Sequence, residues 1–170
     1  MKPTQYRNKV RKFYKSDPFR LAKKGQSMVE FALALPLLLF IVFGVFAFAH
    51  YFYFYFVNST ISREAVRYGS MTSNSVNGIP RYKDCNEIRL VGINIGSPIG
   101  VTLADISVEY DNGPGTGVIA TCPVGGTGPD LTSGQRVIVS VTTNYTSPIP
   151  FGPLASTTLN SSSAKTVIIY

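Results

Sequence analysis

From Phe31 to Ser62 the chain carries no Asp, Glu, Lys or Arg, and no other feature narrows its folding options as much. The 19 residues Phe31–Ala49, FALALPLLLFIVFGVFAFA, approach the roughly 20 that an α-helix needs to cross a bilayer. The core helix of a soluble protein is seldom apolar on every face for this long, because one side meets water. A transmembrane helix is the reading. Pro36 removes one backbone donor early in the run, a defect that neighbouring helices compensate.

Charge is distributed so that this run separates two unlike pieces. Residues 1–25 hold nine of the 16 Lys and Arg, against the single acid Asp17. The rest therefore carries seven basic and eight acidic residues, about −1 net. The net charge of +7 belongs to the leader, not to a folded surface. A nucleic-acid binder needs basic residues there, interleaved with stacking aromatics, so DNA and RNA are excluded as partners. The positive-inside rule keeps the N-terminus cytoplasmic and exports residues after about 57. Tyr51, Tyr53 and Tyr55 of the tract YFYFYF then fall near the outer interface, rings among headgroups and hydroxyls in water.

The helix is expected to outrun the membrane. Val57, Ile61, Ala65 and Tyr68 recur at three- and four-residue steps as one apolar stripe, with Ser62, Arg63 and Arg67 off it. Gly69 is placed to end the helix in a left-handed conformation. A helix from about Gln26 to Tyr68 would span roughly 65 Å at 1.5 Å per residue, so its second half must pack on protein.

The junction reads KKG-QSMVEF from Lys23 to Phe31: a basic leader ending in Gly25, Glu30 five residues on, then the apolar run. A secretory signal peptide is cut after its apolar region; here a cut after Gly25 would precede it and leave the helix in the mature chain. Glu30 is costly at bilayer depth, and a helix N-terminus lowers that cost. Glu30 either marks the membrane boundary, snorkelling to the cytoplasmic interface, or pairs with a new amine on Gln26 of a neighbouring subunit and so sets subunit register. The competing cut follows Ala47-Phe48-Ala49, an A-x-A site that would release a secreted or adhesin-like module from His50. An uncleaved signal anchor whose outer domain binds a partner is the third possibility.

The segment Gly25–Ser70 resembles the N-terminal part of TadE-like proteins, minor pseudopilins of the bacterial tight-adherence (Flp pilus) system. The resemblance rests on VEFAL-LP-LL at Val29–Leu38, Gly44 in mid-membrane and REA-RY at Arg63–Tyr68. It implies processing between Gly25 and Gln26 by a prepilin peptidase, with Glu30 as the acidic registry position. It also implies a single-pass protein of the cytoplasmic membrane, working in pilus assembly or adherence with no reaction of its own. Its partners would be the bilayer, the peptidase, other pilins or pseudopilins and the assembly platform.

Beyond Gly69 the chain turns to Ser, Thr, Asn, Gly and β-branched residues. Strands are predicted at Ile88–Ile95, Val101–Tyr110, Gly117–Thr121, Arg136–Tyr145 and Lys165–Tyr170, with the clearest alternation at Val137, Val139 and Val141. Turns are predicted at Asp111–Gly115, Gly125–Pro129 and Pro148–Pro153. The expected fold is α+β: a leader over 1–25, a transmembrane and extended helix over 26–69, and a small antiparallel β-rich domain over 70–170 packed on the outer half of the helix. So few large aliphatics make a thin core. Cys85 and Cys122, the only cysteines, are expected to form a disulfide in an oxidising exported compartment.

No catalytic constellation, metal site or cofactor is expected. His50 is the sole histidine and reads as an interfacial residue. Asp105, Glu109 and Asp111 lack the spacing of a calcium loop and read as a solvated strand edge. Asn58-Ser59-Thr60 spells a glycosylation sequon, but it falls in the predicted helix next to the bilayer.

Overall fold

A computed structural model describes residues 18–148 and 156–169, with side chains from Gln26 onward. Most of the leader, part of the predicted turn at Pro148–Pro153 and Tyr170 lie outside the described residues. The chain is a long apolar N-terminal helix followed by a four-stranded antiparallel sheet, the α+β class expected. Helix α1 runs Pro18–Gly69 and α2 Cys85–Gly96; the strands are β1 Ile106–Asp111, β2 Val118–Cys122, β3 Arg136–Thr146 and β4 Ser156–Thr166. Two compact units divide the chain, residues 1–43 and 44–170.

In the first unit every described side chain is exposed, from Gln26 to Phe43. Met28, Phe31, Leu33, Leu37, Leu38 and Phe40 all face outward, which in water would be prohibitive and in lipid is the ground state. α1 is long and apolar enough to cross a membrane. It is already helical at Pro18, the first described residue, rather than from near Gln26.

The second unit sets residues 44–69 of α1 and the whole of α2 against one face of the sheet. Strand order is β2-β1-β3-β4 with every pairing antiparallel. Alternation along β3 buries Val137, Val139, Val141, Thr143 and Tyr145, and Ile106, Val108 and Tyr110 of β1 join them. Ile61, Ala65 and Val66 of α1 complete this core with Ile88 of α2. Each such aliphatic contributes roughly 1.5–3 kcal/mol by leaving water. The expected stripe is therefore the packing face, but it starts earlier: Ala47, His50, Tyr51 and Phe54 are already half-buried.

The structure corrects several expectations. Ile88–Ile95 is not a strand but the body of α2. Its buried positions, Cys85, Ile88, Arg89, Gly92 and Gly96, follow a helical period, and Asp84 caps it by accepting from the Glu87 amide at 3.1 Å. β1 starts at Ile106 rather than Val101, because Thr102 and Asp105 close a capping box around a short 3₁₀ turn. The last strand is Ser156–Thr166, not Lys165–Tyr170: its Ser- and Thr-rich run pairs with β3 over its whole length. Gly69 ends α1 without a positive φ. A Cβ there would sit 2.9 Å from Ile88 Cδ1, so glycine serves close approach. Ser62 is not off the packing face but fully buried, its hydroxyl 3.0 Å from those of both Ser161 and Ser163.

Candidate functional site

The junction at residues 25–30 lies wholly inside α1. Gln26 Nε2 donates to Glu30 Oε1 at 3.4 Å, one helical turn on. Glu30 is exposed, and apolar side chains follow it along α1. About three turns of helix separate it from Pro18, beyond the reach of the helix-terminal dipole.

The uninterrupted exposed run ends at Phe46. From there Tyr145, 1% exposed, organises one face of α1. Its ring meets those of His50, Tyr51 and Phe54 at 5.5, 5.4 and 5.3 Å between centroids. Its hydroxyl lies 3.3 Å from His50 Nδ1 and donates to the Ala47 carbonyl at 3.4 Å. His50 and Tyr51, expected at the lipid interface, instead share a protein contact, while Tyr53 and Tyr55 stay exposed. One turn on, Asn58 is buried and its amide donates to the Leu159 carbonyl at 3.1 Å. The sequon asparagine is thus closed to a glycan.

A second constellation joins α2 to the sheet. Cys85 and Cys122 meet with Cα atoms 6.1 Å apart, within the span of a disulfide. The Tyr110 hydroxyl lies 3.7 and 3.5 Å from their sulfurs and donates to the Tyr82 carbonyl at 2.6 Å. Burial pushes the Tyr110 phenol well above its ordinary value, against the opposing pull of Arg89. Gly128 makes room for it, since a Cβ there would fall 2.2 Å from the Tyr110 oxygen. Beside them Arg89 is 2% exposed and donates to the carbonyls of Ile106, Pro123 and Cys122. Burial lowers its pKa, with Tyr110 acting the other way.

The acids do not form a solvated edge. Asp111 is buried and forks onto Arg136 through Nε, at 2.8 Å, and Nη2. That hydrogen bonding holds its carboxyl below the usual range despite burial. Asp105 caps its own turn through Thr102. Among the described residues no group of three His, Cys, Asp or Glu side chains is placed to hold a metal. Arg89, Tyr110, Asn58 and Tyr145 escaped sequence reasoning. A lone arginine inside the run EIRLVGI was the one available signal, since arginine is seldom buried without acceptors.

The apolar helix with an acid near its start matches one family model, described as TadE-like protein. The match covers residues 25–67. TadE-like proteins are a pilus-associated structural family, not a known enzyme family. The TadE-like segment ends at Arg67, and the sheet follows it. No curated protein and no solved structure matches the chain.

Proposed function

We propose that this chain is a minor pseudopilin of a tight-adherence, Flp-type pilus system, acting by helix packing. The observation that carries it is the TadE-like match over residues 25–67, which spans both the Gly25–Glu30 junction and the apolar helix. In this reading a prepilin peptidase cuts between Gly25 and Gln26, and α1 stays in the cytoplasmic membrane with the sheet outside. The exposed run Gln26–Phe46, 21 residues, supplies roughly 31 Å of helix, close to one hydrocarbon thickness.

Cleavage would also change the electrostatics of Glu30. In the uncut chain it sits in a helix interior; after the cut α1 would begin at Gln26, bringing Glu30 next to the first turn and its unsatisfied N–H groups. A neighbour's terminal amine then fixes register through an ion pair in a low-dielectric layer. Cys85 and Cys122 form the disulfide that holds the outer domain. A secreted module cut after Ala49 is disfavoured, because that cut severs the turn whose Ala47 carbonyl and His50 ring contact Tyr145. Co-purification of Glu30→Ala with the other pilus subunits tests the reading. Loss of co-assembly with unchanged membrane insertion is expected; normal co-assembly would remove the registry role.

A further inference from the structure

At the C-terminal end of α1 a groove of about 630 Å³ runs between Arg67, Met71 and Thr72 on one side and Lys165 and Ile168 on the other. It continues into a second hollow of about 360 Å³ that shares Thr72 and Ile168 and extends to Ile169. Together they form a trough lined by both polar and apolar side chains. Neither lining contains a carboxylate. Arg67 contacts Glu64 at 3.1 Å, outside the lining, an exposed pair of little energetic weight. Arg81 braces the loop wall, stacked 4.6 Å over the Tyr68 ring and bonded to the Asn74 carbonyl.

One wall of this trough is a strand edge that has no ladder partner among the described residues. β4 is an outer strand, and its tail continues the ladder: the Val167 amide donates to Gln135 at 2.8 Å and its carbonyl accepts from Gly134 at 3.3 Å. Alternation in an extended chain turns the Ile168 N–H and C=O the other way, toward the free edge. Exposed edges of this kind take an added strand.

We infer that the trough binds an extended, acidic segment of another polypeptide as an added strand beside Lys165–Ile169. Its backbone pairs with Ile168, its carboxylates meet Lys165 and Arg67, and its alternate apolar side chains rest on Met71 and Ile168. A second copy of this chain does not fit the part. Among the described residues Glu30, Glu64 and Glu87 lie in helices, Glu109 is in the central β1, Asp84 and Asp105 cap turns, Asp111 is buried and Asp130 pairs with Lys83. The inference is independent of whether the leader is cut.

The test uses the full chain in a non-ionic micelle and a fluorescein-labelled peptide of alternating Glu and Val, with a Lys–Val peptide as control, read by anisotropy. Saturable binding of the acidic peptide alone is expected. Arg67→Glu with Lys165→Glu should weaken it by about tenfold or more, the scale of one to two lost charged contacts. Ile168→Pro keeps every charge but removes the edge N–H, and should weaken it about as much. Slowed exchange of the Ile168 amide on binding reports the same contact in the unmodified chain. Absence of saturable binding, equal binding of the Lys–Val peptide, or binding that leaves the Ile168 amide unprotected would overturn the inference.

Discussion

Tyr145, near the end of β3, donates its hydroxyl to the carbonyl of Ala47, 98 residues earlier in α1, at 3.4 Å. That contact marks where α1 stops being exposed on every side and becomes part of the second unit. It also makes the aromatic tract on one face of α1 a docking surface for the sheet. Tyr145→Phe should cost about 1 kcal/mol for the lost hydrogen bond. Tyr145→Ala should cost about 3–5 kcal/mol for the emptied space between three rings. Thermal unfolding followed by circular dichroism would check both, and equal melting of the two variants would contradict the packing role.

Arg89 joins α2 to both β1 and β2 through three carbonyls. Two effects oppose each other when it is removed: the buried charge is relieved, and three acceptors lose their donor. Orphaned buried acceptors cost about 1–3 kcal/mol each, so the loss prevails. Arg89→Met should destabilise the second unit by about 2–4 kcal/mol. Unchanged melting would show that water reaches these carbonyls.

Asp111 carries the acid sensitivity of the sheet. Arg136 lowers its folded pKa, so its contribution is complete above the unfolded carboxylate value, about 3.9, and is lost as pH falls through the lower folded value. Asp84 is lowered too: burial raises it, but hydrogen bonds from Ser75, Asn77 and the Glu87 amide outweigh that. Melting temperature should therefore hold from pH 7 to about 4 and fall below it. Asp111→Asn should start lower and lose part of that acid slope. Curves parallel to the unmodified protein would contradict the pairing.

Cys85 and Cys122 are separated by 37 positions in sequence. Opening a loop of that size should cost about 4 kcal/mol in the chain-entropy account. Non-reducing mass analysis with thiol alkylation should find no free thiol. Two alkylated cysteines in the purified protein would remove the crosslink.

What sequence could supply depended on whether one residue type dominated the local physics. The charge-free run declared a long apolar helix, and Val137, Val139 and Val141 declared β3 by alternation. Ile88, Val91, Ile93 and Ile95 misled, because β-branched residues favour strands unless a cap and a helical burial period override them. Asp84 and the small faces of Gly92 and Gly96 supply both: a Cβ on Gly92 would approach Ile106 Cδ1 to 2.6 Å, so α2 seats closely on the sheet. β4 was illegible because Ser161 and Ser163 turn toward Ser62, a polar seam that hydrophobic patterning cannot register. At the junction, the Gly25–Glu30 spacing and the helix were both readable. The helical conformation of residues 18–25 was not, since their basic residues looked like a detachable leader.

The central claim is processing after Gly25 with the helix retained. The most direct test is the intact mass and N-terminal sequence of the membrane-bound protein from cells that contain a prepilin peptidase. The account predicts a chain beginning at Gln26. A chain beginning at Met1 or at His50 would contradict it.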